Sequence, residues 1–229
     1  MNLTTEQRKI VESVVNVFET GKAAGDYGAV TILPDGPHGE RQVTYGRSQV
    51  TEHGDDADDL SALVGRYVDA RGRLATELGP YVVRVGDPDL CDDTNFLDLL
   101  RVAGDDPVMR VEQDRLFDRA YFQPAMAWCF TQGLERPLSA LAVYDSWIHS
   151  GGVLGVIRRS FREVPPSRGG DERGWTTMYL RARRAWLLLH RNPVVRQTIY
   201  RMDFLISLAE MGDWSLEQRP FRCRGTVIL

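Results

Sequence analysis

The sequence predicts a mostly α domain carrying one small β-hairpin near its N-terminus. Three observations predict it. Apolar residues recur at helical spacing through most of the chain after residue 58. One early stretch, residues 27–50, instead holds β-branched runs around a dense Pro/Gly turn. Finally, 229 residues at 43% hydrophobic content can bury a core without staples, and no apolar run approaches the roughly 18 residues of a membrane span.

The elements follow in chain order. Thr4-Thr5-Glu6-Gln7 reads as a capping box, and Ile10, Val14 and Phe18, flanked by Val11 and Val15, form a helical stripe behind it. Gly21, Gly25 and Asp26 supply stop and turn chemistry, which leaves Glu19 on the last helical turn. Ala29-Val30-Thr31-Ile32-Leu33, the turn Pro34-Asp35-Gly36-Pro37-His38-Gly39 and Gln42-Val43-Thr44-Tyr45-Gly46 read as a hairpin, the only β structure expected. Leu60, Leu63, Val64 and Tyr67 mark one further helix, and Phe96, Leu99, Leu100 and Val102 another. A long helix over Val111–Phe130 is expected to be interrupted at Pro124, which lacks an N–H and clashes with the preceding turn. Leu138–Ile148 is apolar nearly all round, the pattern of a buried central helix. Long helices are expected over Trp175–His190 and over Pro193–Met211.

Charge is unevenly spread. Residues 1–100 hold 18 acidic against 9 basic side chains, a balance of −9, whereas residues 101–229 hold 14 against 19, a balance of +5. Lysine occurs only at positions 9 and 22, so arginine supplies 26 of the 28 positive charges. Its planar fork favours fixed carboxylate pairs, which points to internal ion networks. Cys91, Cys129 and Cys223 are odd in number and far apart, and they read as small buried side chains rather than disulfide or zinc ligands. No metal or cofactor is expected. The Arg181-Arg183-Arg184 cluster lacks an aromatic-interleaved basic strip, so nucleic acid is not an expected partner, and neither is a membrane. The polar start, Met1–Lys9, has no secretory pattern, which leaves the compartment unknown. Oligomeric state is not legible.

Glycoside hydrolysis needs two carboxylates flanking the scissile bond, one protonated and one ionised. Glu19, following Val17-Phe18 at a helix end, suits the acid; Asp35, in a Pro/Gly turn, suits the base. By spacing alone the pair reads first as two solvated surface residues, since glutamate at a helix end and aspartate before glycine are both common there. Asp145 stands in an otherwise apolar helix and needs a cationic partner, since a lone buried carboxylate costs several kcal/mol. Asp55, Asp56, Asp58 and Asp59 form an acidic cluster that suits either a helix N-terminus or a wall for cationic sugars. His149, Trp147, Trp175, Trp186 and Trp214 read as core residues before catalytic or sugar-stacking ones.

The stretch Phe117-Asp118-Arg119-Ala120-Tyr121-Phe122-Gln123-Pro124-Ala125 resembles glycoside hydrolase family 46, the lysozyme-superfamily chitosanases. Val143-Tyr144-Asp145-Ser146-Trp147-Ile148-His149-Ser150-Gly151 is similar to that family's central helix. Gly155-Val156-Ile157-Arg158-Arg159, Gly169-Gly170-Asp171-Glu172, Leu180-Arg181-Ala182-Arg183-Arg184 and Thr198-Ile199-Tyr200-Arg201 continue the resemblance in order.

The resemblance implies a lysozyme-like α+β fold in one catalytic domain, residues 1–229. Two helical lobes would be bridged by the central helix, with the hairpin at the cleft. It implies endo-hydrolysis of a β-1,4-linked amino-sugar polysaccharide, most simply chitosan, with inversion. Glu19 matches the general acid, Asp35 the general base and Thr44 the threonine that holds the attacking water. Asp145, Arg183 and Arg201 match a carboxylate–guanidinium network supporting the glutamate. Asp59 matches an acidic residue gripping a cationic sugar, and Tyr27 and Arg47, on either side of the hairpin, complete the substrate-binding candidates. The longer turn of this chain, Pro37-His38-Gly39-Glu40-Arg41-Gln42, departs from the family's short glycine-rich one and makes Glu40 a rival to Asp35. Peptidoglycan as substrate, for a cell-wall lytic toxin or effector, and a non-catalytic carbohydrate-binding frame are the alternatives.

Overall fold

The first helix, α1 (Thr5–Thr20), begins with the expected reciprocal cap: Gln7 N donates to Thr4 Oγ1 at 3.2 Å and Thr4 N donates to Gln7 Oε1 at 3.0 Å. Its apolar stripe, Ile10, Val11, Val14, Val15, Val17 and Phe18, is buried, and Gly21 ends it in a left-handed conformation (φ 73°). The computed structural model describes residues 1–47, 49–53 and 59–229. They group into two compact units: Met1–Phe18 with Tyr121–Leu229, and Glu19–Ala120.

The unit Glu19–Ala120 carries a three-stranded antiparallel sheet of β1 (Val30–Leu33), β2 (Gln42–Tyr45) and β3 (Val50–Thr51). Thr31 pairs with Thr44, and Thr44 with Thr51. The sheet thus contains the expected hairpin plus a third strand, which at two residues is too short for alternation to reveal. Helices α2 (Leu60–Asp69), α3 (Ala75–Leu78), α4 (Thr94–Ala103) and α5 (Pro107–Phe117) complete this unit. Asp59, Asp93 and Asp106 cap α2, α4 and α5 by accepting from backbone N–H groups of the first turn.

In the other unit, α6 (Gln123–Gln132), α7 (Pro137–Ser150), α8 (Gly155–Arg158), α9 (Glu172–Leu188), α10 (Pro193–Arg196) and α11 (Tyr200–Glu210) precede a second hairpin, β4 (Phe221–Cys223) and β5 (Thr226–Ile228). Pro137 through Ser146 of α7 are all buried, as expected for the helix without a polar face. Trp175, Tyr179 and Phe161 cluster beside it, with the first two rings stacked at 5.4 Å. All three cysteines are buried and free.

Three expectations need correction. The Val111–Phe130 helix is α5, a π-turn over Asp118–Phe122, and α6, with Pro124 in the first turn of α6 where its missing N–H is harmless. The Pro193–Met211 helix is α10, a 3₁₀ turn over Gln197–Ile199, and α11; there Thr198 Oγ1 donates to Val195 O at 2.6 Å, competing for a helical acceptor. The hairpin near the N-terminus is also not the only β structure. In β4–β5, Phe221 and Cys223 alternate inward around a two-residue Arg224-Gly225 turn with both φ values positive (50° and 81°).

Gly46 shows why the first hairpin ends where it does. Its φ is +82°, and a Cβ there would lie 2.3 Å from Gln113 Oε1. Gln113 is fully buried and ties two strands of chain together, donating to Tyr27 O at 2.9 Å and accepting from Arg47 N at 3.1 Å. Gly46→Ala therefore both strains the backbone and displaces a satisfied buried amide. It is expected to lower unfolding free energy by about 2–3 kcal/mol, read as the midpoint of a urea titration; an unchanged midpoint would show that Gln113 swings aside without loss.

Candidate active site

Glu19 lies on the last turn of α1 and is half-buried. Asp35 sits two residues beyond β1, exposed, with its Oδ1 accepting from Gln42 Nε2 at 2.8 Å. The turn around it is closed by its own backbone: Gly36 N donates to Glu40 O at 3.0 Å and Glu40 N to Pro37 O at 3.1 Å. What the turn uses of Glu40 is its backbone, whereas Asp35 is held by its carboxylate. Thr44 is buried, and its hydroxyl lies 2.8 Å from Gln49 Oε1 and 3.1 Å from Thr31 O, both acceptors. One hydroxyl proton can serve only one of them at a time, so toward any third partner Thr44 is itself an acceptor.

Tyr27 and Arg47 come together through Asp114. The Tyr27 hydroxyl donates to Asp114 Oδ1 at 2.8 Å, and Arg47 Nη1 pairs with the same oxygen at 3.0 Å. The Arg47 guanidinium also lies 5.9 Å from the Tyr27 ring and 5.6 Å from the Phe117 ring. Burial pushes the Tyr27 phenol up from its ordinary range, against the pull of the Arg47 charge. Both residues are thus fixed internally.

Asp59 is the N-cap of α2, its Oδ1 accepting from Ala62 N at 2.7 Å. Asp55, Asp56 and Asp58 lie outside the described residues. Glu19, Asp35, Thr44, Asp59, Tyr27 and Arg47 all fall in the unit Glu19–Ala120.

The three supporting candidates meet in the other unit. Asp145 on α7 is fully buried, with Arg201 Nη1 of α11 at 2.9 Å from Oδ1 and Arg183 Nη2 of α9 at 3.3 Å from Oδ2. Burial alone would raise the Asp145 carboxyl, but the two guanidiniums outweigh it and hold the group below its ordinary range. Arg183 also donates to Ser146 Oγ, which contacts the Tyr179 hydroxyl. Burial and the same two guanidiniums push His149 down to about 3, so its imidazole is neutral and its Nδ1 lies 3.1 Å from Ser150 Oγ.

Three residues that touch these candidates, Gln42, Gln49 and Asp114, and a fourth that bonds the neighbouring backbone of β2, Glu52, escaped the reading of the sequence. Gln42 orients Asp35; it lies two residues before Thr44 on β2, so strand alternation puts both side chains on one face, a readable signal. Gln49 and Asp114 carry no local pattern that marks them. Glu52 is buried, accepts from Val43 N at 2.6 Å, and is pushed up by that burial. It follows β3, the strand that periodicity did not reveal.

The chain is matched over residues 13–220 by the model of glycosyl hydrolase family 46. It is 27% identical over 229 residues to a chitosanase of Bacillus subtilis (strain 168), covering 93% of this chain and 80% of that protein. Among solved structures, a family 46 chitosanase of Gynuella sunshinyii in complex with chitotetraose superposes with a TM-score of 0.82 at 28% identity, over 99% of this chain and 98% of the other. A glutamate-to-alanine variant of the Bacillus subtilis MY002 chitosanase, complexed with six glucosamine units, gives 0.83 at 26% identity over the full length of both. The chain belongs to glycosyl hydrolase family 46.

Proposed function

We propose that the chain, a glycoside hydrolase, acts as one catalytic domain over residues 1–229 that cleaves internal β-1,4 bonds of chitosan with inversion. The observation that carries this reading is the coincidence of charge and candidates. The unit Glu19–Ala120 holds 21 acidic against 11 basic side chains, a balance of −10, while the rest of the chain holds 11 against 17, a balance of +6. Every candidate acid, base and substrate-gripping residue belongs to the acidic unit, which suits a polymer of glucosaminium rings. Relatives solved with chitotetraose and with glucosamine units support the same substrate class. Peptidoglycan, with acidic lactyl and peptide groups, would be repelled by such a surface.

In the proposed reaction Glu19 protonates the glycosidic oxygen as the bond to the anomeric carbon breaks. Water attacks that carbon from the opposite face and gives a proton to Asp35. Gln42 occupies Asp35 Oδ1, leaving the second oxygen for the water. Thr44, its own proton directed to Gln49 or Thr31, accepts the water's other hydrogen. An inverting reaction needs the two carboxyl groups more than about 6.5 Å apart, to leave room for the water.

Asp145 supports Glu19 at one remove. It fixes Arg201, whose guanidinium lies 5.4 Å from the ring of Phe18, the residue before Glu19. Removing the negative charge leaves two buried guanidiniums facing each other, so Asp145→Asn is expected to cost about 3–5 kcal/mol of stability. Because the folded-state pKa of Asp145 is depressed, its contribution is present above the unfolded carboxyl value near ~3.9 and is lost as pH falls through the folded value. Denaturation followed from pH 7 down to pH 2 should therefore fall less steeply for the asparagine variant than for the wild type.

Hydrolysis itself is tested by reducing-end release from chitosan and from purified peptidoglycan in parallel. Wild type should act on chitosan, Glu19→Gln should be slower by about 10³-fold, and proton NMR of the first products should show the α-anomer. Release from peptidoglycan alone would transfer the enzyme to the cell wall, and binding without hydrolysis of either polymer would make it a carbohydrate-binding protein.

A further inference from the structure

The last turn of any helix leaves carbonyl oxygens without intrahelical donors. In α1 that turn carries Glu19, and the carbonyl just before it, Phe18 O, is met by two side chains. The Tyr200 hydroxyl donates to it at 2.6 Å and Arg224 Nη1 at 2.9 Å. The two donors support each other: Arg224 Nη1 lies 3.2 Å from the Tyr200 oxygen, and its guanidinium carbon lies 4.7 Å from the Tyr200 ring centroid. The Phe18 ring is in turn fixed edge-to-face by Tyr200 at 6.0 Å and by Phe204 at 5.9 Å. A cation at this end of the helix also complements its dipole.

Arg224 is an odd choice for its place in the chain. It occupies the first position of the two-residue β4–β5 turn with φ 50°, followed by Gly225 at φ 81°. Turns of that shape favour asparagine or glycine, because a Cβ is strained at positive φ. Arg224 is exposed, so packing does not select it. What distinguishes it from asparagine is reach: from the hairpin tip its guanidinium spans to Phe18 O. A residue that breaks a local preference and makes one specific contact beside a reacting group marks a constraint beyond folding.

We infer that the C-terminal hairpin serves as a clamp on α1, with Arg224 as a positioning residue that holds the backbone of Phe18 and so fixes where the Glu19 carboxyl stands. This rests on Glu19 being the general acid. Proton delivery to a glycosidic oxygen tolerates little displacement, since a misplacement of about 1 Å can cost 10²-fold. Substrate grip depends on other residues and is left intact.

Arg224→Asn is the decisive variant because asparagine suits the turn. It is expected to fold with an unchanged or higher Tm, to lower kcat on chitosan by about 10- to 100-fold, and to leave KM within about twofold. Arg224→Lys, which keeps a cation on a long stem, should recover part of that loss. Tyr200→Phe, which removes the second donor, should lower kcat in the same way. In a Glu19→Gln background, Arg224→Asn should cause no further loss in residual rate, since the group it positions is already disabled. An unchanged kcat in Arg224→Asn, or an equal further loss in the Glu19→Gln background, would overturn the clamp while leaving the acid assignment standing. Full activity in Glu19→Gln alone would instead overturn the acid assignment.

Discussion

A single buried carboxylate organises half of this molecule. Asp145 has no access to solvent, yet it keeps its charge because guanidiniums from two other helices converge on its two oxygens. Desolvating three ions is expensive, and a hydrophobic substitute of the same shape could match the stability. What the ions add is geometry. Arg183 and Arg201 must both reach one residue of α7, which sets the placement of α9 and α11 against it more narrowly than apolar packing alone requires. Ser146 extends the network on the Arg183 side, its hydroxyl oxygen lying between the Arg183 guanidinium and the Tyr179 hydroxyl. Since α11 also carries Tyr200 and Phe204, the carboxylate indirectly sets where Phe18 rests at the end of α1.

The acidic unit is built on a different economy. Three of its aspartates begin helices: Asp59, Asp93 and Asp106 act as caps, and Asp106 also accepts from the Tyr67 hydroxyl at 2.8 Å and from Arg73 N at 2.7 Å. The negative field is therefore partly a by-product of how its helices start. That need not compete with a role toward a cationic polymer, because a capping carboxylate keeps its charge while accepting a hydrogen bond. Asp59 illustrates the point, with one oxygen committed to Ala62 N.

Legibility in the sequence tracked how local each determinant is. The α1 cap was readable because both partners lie within four residues, and α7 because burial on every face leaves a single carboxylate, Asp145, that demands explanation. The pairing of Asp145 with Arg183 and Arg201 spans 38 and 56 residues, and only likeness to a family could name the partners. Gln113 and Asp114 tie α5 to the chain around Tyr27 and Arg47, but nothing in their neighbourhood marks them. The second hairpin was a different matter: alternation of Phe221 and Cys223 and a following Arg-Gly turn are ordinary signals, masked by the arginine at a position where asparagine would have announced it. The unusual residue hid the element and is also its most informative feature.

That substitution belongs to a wider habit of the chain, which uses arginine almost to the exclusion of lysine. Three sites show what the choice supplies. Arg201 pairs with Asp145 while its guanidinium carbon lies 5.4 Å from the Phe18 ring; Arg47 combines Asp114 with the rings of Tyr27 and Phe117 in the same way, and Arg224 combines Phe18 O with the Tyr200 ring. In each case one planar group makes a directed hydrogen bond along its edge while an aromatic ring meets it nearby. An ammonium is a compact charge without a face, and it would make either contact without orienting the other. Two of these three arginines converge on Phe18 from different elements, one on its ring and one on its carbonyl. The end of α1 is therefore fixed through both the ring and the carbonyl of Phe18, which is what the proton delivery proposed for Glu19 would require of the backbone beneath it.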